Sequence, residues 1–314
     1  MQRSMQPFND YGSLMRQRLG GRIQKIAIDA AMSCPNRDGR IAHGGCTFCL
    51  NEAFSPSYCR TSQSITKQID NGIEFHASRG RIAQHYIAYF QSGSNTYAPI
   101  DKLRKLYNEA ISHPKISGII VGTRPDCIGS EILDLLADIA THKYVAIEYG
   151  IESTLDTTLN HVNRGHTFTD AQHAVVQTKE RGIDVGAHFI LGLPGESYEH
   201  LVDQTYAINS LNLNFIKFHQ LQIYHSTPMA EEWSTHPERF ALNGITSNEY
   251  VELIINIIRR LNPNISIERF ASQAPRQLLL HSPLGGLRLD ALRKMIVDRM
   301  DELCATQGDL LGNR

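Results

Sequence analysis

The sequence lacks any apolar run long enough to cross a bilayer: its greasiest stretches, Ile116–Val121 and Leu253–Ile258, fall far short of the roughly 20 residues a membrane helix needs. It also lacks an excess of either charge. Lys and Arg number 31 and Asp and Glu 32, so the formal net charge is -1 and the pI about 6.9. Global charge therefore forces neither a nucleic-acid nor a membrane partner. There is no internal repeat and no low-complexity tract. Met1 to Met15 holds neither a seven-residue apolar run nor a small-residue cleavage site, so no secretory signal is expected and the expected location is the cytoplasm. Cysteines number only 6, and in the reducing compartment expected here they are not a disulfide framework.

What is present is a core-forming chain of 314 residues, 41% apolar and 20% charged, long enough for one large α/β domain or for one domain plus a substantial extension. Residues 1–60 carry eight basic and four acidic side chains and residues 259–314 nine and six, excesses of +4 and +3 that give both ends a mild bias toward anions. Short β-branched or aromatic runs predict strands at Ile23–Asp29, Ile82–Phe90, Ile116–Gly122, Tyr144–Gly150, Asp184–Leu191 and Phe215–Tyr224. Amphipathic stretches between them predict helices near Ser64–Ser78, Ile100–Ser112, Glu131–His142, Thr169–Arg181 and Tyr198–Leu211, with Asp101, Ser130 and Thr169 or Asp170 close to N-caps. Such alternation implies a parallel sheet with right-handed crossovers, whose functional loops follow the C-terminal strand ends. Periodicity does not say whether the sheet closes. After about Ser226 the rhythm changes to a helix at Ser247–Leu261, a short strand at Ile265–Phe270, a Pro/Gly-rich loop and a helix from Leu289 to Leu303. The chain therefore divides into an N-terminal segment 1–20, a core 21–228 and a C-terminal extension 229–314 packed on that core.

Four cysteines lie within 26 residues, from Cys34 to Cys59, and point to metal or redox chemistry. Cys34, Cys46 and Cys49 form a C-x11-C-x2-C pattern after the first strand, in a loop whose Pro35, Asn36, Gly39, Gly44 and Gly45 let the backbone wrap a compact inorganic object. Two thiolates two residues apart reach neighbouring corners of one metal centre, and a third returns from the flexible loop. Spacing leaves two centres open: a structural zinc closed by Cys59 or His43, or a 4Fe-4S cluster on three thiolates with one iron open.

The segments "CPNRDG", "GGCTFC" and "NEAFSP" resemble the YhcC-like branch of the radical S-adenosylmethionine (SAM) superfamily, which is related to the radical domain of the Elongator catalytic subunit. The resemblance runs from "GGRIQKIAIDAAMSCPNRDG" into the C-terminal extension. It implies a partial (βα)6 TIM-like barrel with a C-terminal α/β extension. It further implies a 4Fe-4S cluster ligated by Cys34, Cys46 and Cys49, and SAM on the open iron. The implied reaction is reductive cleavage of SAM to a 5'-deoxyadenosyl radical that takes hydrogen from a substrate.

The same resemblance assigns cofactor contacts. In "YFQSGSNTYAP", Gly93, Ser94 and Asn95 stand where relatives hold the methionine amino group, although only Gly93 of that loop is glycine. "VGTRPDC" keeps Thr123 and Arg124 but has Gly122 where the Elongator relative is acidic; Arg124 has Asp126 as an alternative partner. "IEYGIES" places Glu152 at the ribose and "NRGHT" places Arg164 at the cofactor carboxylate by a charge-assisted hydrogen bond. "GAHFILGLPGES" offers His188 and Gly192 on the adenine side, and "FIKFHQLQIYHSTPM" offers the Leu221 backbone. In that last strand Lys217, His219 and Leu221 share a parity, so alternation aims them to one face, without assigned roles. Partners implied are SAM, an electron donor such as flavodoxin or ferredoxin, and, through the Elongator kinship and the basic ends, tRNA or another RNA. The competing function is a non-catalytic zinc-stabilised α/β binding module whose site is closed by four cysteines.

Overall fold

The fold is that of a computed structural model, which describes residues 6–50 and 56–312. Of the "NEAFSP" segment only Pro56 lies within the described residues. The first helix, α1 (Tyr11–Leu19), lies in the N-terminal segment, where periodicity marks nothing. Its apolar contribution is small, with Tyr11 and Met15 alone buried, which is why no amphipathic pattern shows. The strand-like runs form β1 (Ile23–Ile28), β2 (His85–Phe90), β3 (Ile116–Thr123), β4 (Tyr144–Glu152), β5 (Asp184–Leu191) and β6 (Phe215–Gln220). Between them stand α2 (Ile65–Ala77), α3 (Ile100–Ser112), α4 (Ser130–Ala140), α5 (Asp156–His161), α6 (Phe168–Glu180) and α7 (Tyr198–Ser210).

Several ends differ from the sequence expectation by one to three residues. The second strand begins at His85 rather than Ile82, whose side chain is 68% exposed. The N-caps fall on Pro99, Gly129 and Thr167, and Asp170 completes a reciprocal capping box with Thr167 instead of starting the helix. The sixth predicted strand breaks after Gln220, and its tail becomes β7 (Ile223–Tyr224).

The remaining elements are α8 (Pro228–Thr235), α9 (Ser247–Arg260), β8 (Ser266–Arg269), β9 (Leu279–His281) and α10 (Leu289–Glu302). One sheet runs β1-β2-β3-β4-β5-β6-β8, parallel throughout. It curls into a half-barrel with the helices outside, so its strands are buried on both faces, as the near-continuous burial of β2 and β4 requires. The C-terminal residues thus add β8 as a seventh strand, beyond the six of the expected barrel. A second, two-stranded antiparallel sheet pairs β7 with β9. No helix among the described residues is long and apolar enough to cross a membrane.

A half-barrel has two edge strands, here β1 and β8, and edges need cover. The outer edge of β8 is covered by the residues leading into α1: the Ile267 amide donates to the Asn9 carbonyl at 2.8 Å, and Asp10 bridges Ile267. Across the interior, Lys25 of β1 reaches both Glu148 of β4 at 2.8 Å and Glu268 of β8 at 2.5 Å. Lys217 of β6 completes the lattice, 2.6 Å from Glu148 and 3.3 Å from Glu268. Four charges therefore lace both edges of the open sheet to its middle.

Candidate functional site

At the C-terminal ends of the strands lies a cavity of about 200 Å³ whose wall includes Cys34, Cys46 and Cys49. The loop after β1 brings them there. Its Cys49 amide donates to the Cys46 carbonyl at 3.0 Å, which turns the C-x2-C pair back on itself. The loop is bolted to the turn after α5: the Asn36 amide donates to the Asn163 carbonyl, and Asn163 donates to the Gly45 carbonyl at 2.8 Å. This cross-bracing is invisible in the sequence, because the two segments it joins are more than a hundred residues apart.

Cationic groups surround the thiols. The Arg164 guanidinium donates to Cys46 Sγ at 3.4 Å and Asn36 approaches the same sulfur at 3.6 Å. Arg37 donates to the Cys49 carbonyl at 3.1 Å. Burial and the neighbouring Cys46 push the Cys49 thiol up, while Arg37 opposes the shift. Cys59 behaves differently: it is not part of the cavity wall, its Sγ donates to the Ala27 carbonyl at 2.9 Å, and burial pushes its thiol up to about 12.

The three thiols on one wall are a donor set that can hold a cluster on separate irons. The fourth cysteine of a tetrahedral zinc site is the one that turns away.

The wall also fits an anionic, polar ligand beside the thiols. Arg124 makes a fork with Asp126, both bonds 2.8 Å, yet leaves Nη1 buried without a partner. Arg164 donates to the Gly150 carbonyl at 2.5 Å and faces Glu152 at 3.4 Å, yet leaves Nε unpartnered. Buried unpaired donors are costly and call for an acceptor. The choice between Arg124 pairing with Asp126 and lining the mouth thus resolves as both. His166 bonds the Thr167 carbonyl at 3.1 Å, and burial with the nearby Arg164 pushes it down to about 3, so it is a neutral structural imidazole.

Gly93, Ser94, Thr123, Glu152, Arg164, His188 and Leu221 all line this cavity. Gly93 has φ +77°, and a Cβ there would lie 2.4 Å from the Met32 carbonyl, so glycine is needed for contact with the cysteine loop itself. The Ser94 amide donates to the Ser33 carbonyl at 3.1 Å, and Ser94 and Thr123 share a 3.1 Å hydroxyl contact. Asn95 and Gly192 are not part of the cavity wall. Asn95 is buried behind it, donating from its side chain to the Gly122 carbonyl at 2.9 Å. Gly192, at φ +88°, packs on Leu242 beside a second, far smaller cavity that it shares with Leu221. The Leu221 amide is already taken by the Leu191 carbonyl at 2.8 Å.

Glu152 closes β4 with φ +73°, where the β4–β5 register slips between Gly150 and Glu152. A left-handed conformation at a non-glycine residue costs about 1–3 kcal/mol and persists only where its surroundings enforce it.

On the cavity floor the sequence named residues without their partners. Glu148 accepts from Lys25, Lys217, Tyr89 at 2.6 Å and His188 at 2.9 Å. Burial would raise its carboxyl, but the two lysines hold it well below the usual range. His188 stacks on His219 at 5.3 Å, and His219, pushed well down by burial and by His188, is held neutral with Nε2 unpartnered. The shared parity of Lys217, His219 and Leu221 was legible; their partners were not.

Comparison with known proteins gives this geometry a context. The model described as "Radical SAM superfamily" matches residues 37–203, and one described as "Radical_SAM C-terminal domain" matches residues 213–302. The chain is 35% identical over 273 residues to Protein YhcC of Escherichia coli K12, covering 87% of this chain and 85% of that one. It is 30% identical to protein MJ0486 of Methanocaldococcus jannaschii, covering 98% and 92%. Among solved structures it is similar to the archaeal Elp3 of Methanocaldococcus infernus, with a TM-score of 0.67 at 14% identity over 91% of this chain and 64% of that one.

Proposed function

The chain belongs to the radical SAM superfamily and is a radical SAM enzyme, and from that premise we propose that it cleaves S-adenosylmethionine reductively at a 4Fe-4S cluster held by Cys34, Cys46 and Cys49. The observation that carries the reading is one cavity wall bearing three thiols together with two guanidinium groups that each keep an unpartnered nitrogen. When bound, cluster and SAM supply a one-electron cleavage to methionine and a 5'-deoxyadenosyl radical that takes a hydrogen atom from substrate.

The protein's part is to bind, orient and shield. Arg164 and Arg124 offer their unused nitrogens to the methionine carboxylate, Ser94 and Thr123 offer hydroxyls on the amino-group side, and Glu152 accepts from the ribose. Gly192 and Leu221 shape the adenine side, and Asn95 supports the loop from behind. His188, which lines the same cavity, completes the adenine side. We assign residues 21–228 to the radical core and residues 229–314 to an extension whose β8 finishes its sheet. A cytoplasmic location and reduction by a flavodoxin or ferredoxin belong to the same reading. An RNA substrate is supported by the basic excess at both chain ends, and retention of bulk tRNA on a filter at physiological salt would test it.

The deciding experiment is anaerobic reconstitution with iron and sulfide, followed by dithionite reduction with SAM, comparing wild type with Cys34→Ala, Cys46→Ala and Cys49→Ala. About four irons per chain and 5'-deoxyadenosine from wild type alone are expected for a cluster on these thiolates. One zinc per chain, no cluster and no deoxyadenosine would return the protein to the binding-module reading.

A further inference from the structure

Two turns stand side by side at the mouth, one closing β4 (Gly150 to Ser153) and one following β5 (Gly192 to Glu196). They are joined by a side-chain contact: the Ser153 hydroxyl donates to Glu196 Oε1. That hydroxyl also accepts from the Leu155 amide at 3.1 Å, so its one proton and its lone pair are both directed. Ser153 is fully buried and Glu196 is 4% exposed, with its other oxygen, Oε2, buried and unpartnered. Neither residue lines the cavity. Directly before Ser153 stands Glu152, held at φ +73° where the strand register slips.

We propose that Glu196 is a positioning residue: through Ser153 it holds the left-handed turn that presents the Glu152 carboxylate to the cavity and to Arg164, and so sets the affinity for the cofactor's ribose end. The inference rests on the SAM reading given above. Glu196 is suited to this work because, among the described residues, no charged group pairs with its carboxyl. A buried carboxyl supported by no more than the Ser153 hydroxyl and the Leu193 backbone is a costly residue to retain unless the turn it fixes is needed. Its own turn is fixed in return, since the Gly195 amide donates to the Arg239 carbonyl at 2.9 Å and the Glu196 amide to the Leu193 carbonyl at 3.2 Å.

The test is calorimetric titration of SAM into the anaerobically reconstituted enzyme, with thermal unfolding of each variant as the fold control. Glu196→Ala and Ser153→Ala are each expected to weaken SAM about ten-fold, the scale of one lost positioning hydrogen bond. Glu196→Gln keeps an acceptor oxygen and is expected to stay within about three-fold of wild type. The double variant Glu152→Ala/Glu196→Ala is expected to bind no more weakly than Glu152→Ala alone, because Glu196 acts through Glu152. If Glu152→Ala weakens SAM while Glu196→Ala and Ser153→Ala do not, or if the losses add in full, the positioning role is wrong and the SAM reading stands. If Glu196→Ala does not fold, Ser153→Ala and the Glu196→Gln rescue decide. Wild type with a formed cluster but no SAM binding overturns both.

Discussion

The floor and the mouth of the half-barrel are built on opposite rules. At the floor, one carboxylate, Glu148, accepts from four donors on four different strands, and the same lysines reach on to Glu268. At the mouth, among the described residues lining the cavity, Arg124 and Arg164 each keep a buried guanidinium nitrogen without a partner, whereas on the floor the atom left over is a neutral one, His219 Nε2, beside the charged network rather than in it. A satisfied buried network fixes shape, because any other arrangement would leave a charge uncompensated in low dielectric. An unsatisfied one is a standing cost that only a ligand removes. The difference separates what holds the sheet curled from what the curled sheet is for, and it can be broken at either end.

Glu148→Gln should have the largest effect on stability. It leaves Lys25 and Lys217 sharing one carboxylate inside the barrel, and removing one partner of a buried ion pair costs about 3–5 kcal/mol. Urea unfolding should show that loss; a change below about 1 kcal/mol would mean the lattice does not hold the seam. Cavity residues above the floor would then need another explanation for their order.

Glu196 provides the next effect, readable as a slope with pH. Burial pushes its carboxyl up to about 7 from an ordinary 4.5, with Ser153 opposing. The folded state therefore binds a proton that the unfolded chain releases, so this group's contribution is complete below about 4.5 and is lost as pH rises through 7. A shift of that size corresponds to about 3 kcal/mol. Stability curves of wild type and Glu196→Gln should diverge across that window and run parallel above it; parallel curves throughout would show that the carboxyl is already ionised in the fold.

Cys46→Ala belongs to the mouth and should separate function from stability. Iron content and SAM cleavage should vanish, while the unfolding free energy of the iron-free chain changes by only about 1 kcal/mol, an ordinary value for one buried side chain outside the lattice. A loss as large as that of Glu148→Gln would make the mouth part of the scaffold and erase the contrast.

How much of this could be read in advance follows the same division. The strands were legible because parallel strands buried on both faces leave continuous apolar runs, as in Ile116–Val121. The cysteine loop was legible because its chemistry is local, within Cys34 to Cys49. The floor was not: Lys25 and Glu268 are 243 positions apart, and a lysine in a strand reads as solvent-facing until its partner is known. The seventh strand was seen as a strand but not as part of the main sheet, since nothing local distinguishes Ser266–Arg269 from a short strand elsewhere. Asn95 and Gly192 were read from motif position, which carries no information about what each side of the residue touches. The contacts they make, Asn95 with the Gly122 carbonyl and Gly192 beside Leu242, are long-range and could not be read there.

The smallest effect is the one that sharpens the assignment of the mouth. Cys59 shares the cysteine-rich segment but bonds the Ala27 carbonyl on β1, away from the cavity wall, and its thiol is held protonated by burial. Cys59→Ala removes one sulfur contact and leaves a carbonyl that other donors can reach, for a loss of about 1 kcal/mol or less. Iron per chain and the cluster's visible absorbance should match wild type, because three thiolates on the cavity suffice for a cluster with an open iron. If iron content instead falls as it does for Cys46→Ala, Cys59 is a ligand, the loop must rearrange when metal binds, and the open coordination position on which SAM binding depends is lost from the reading.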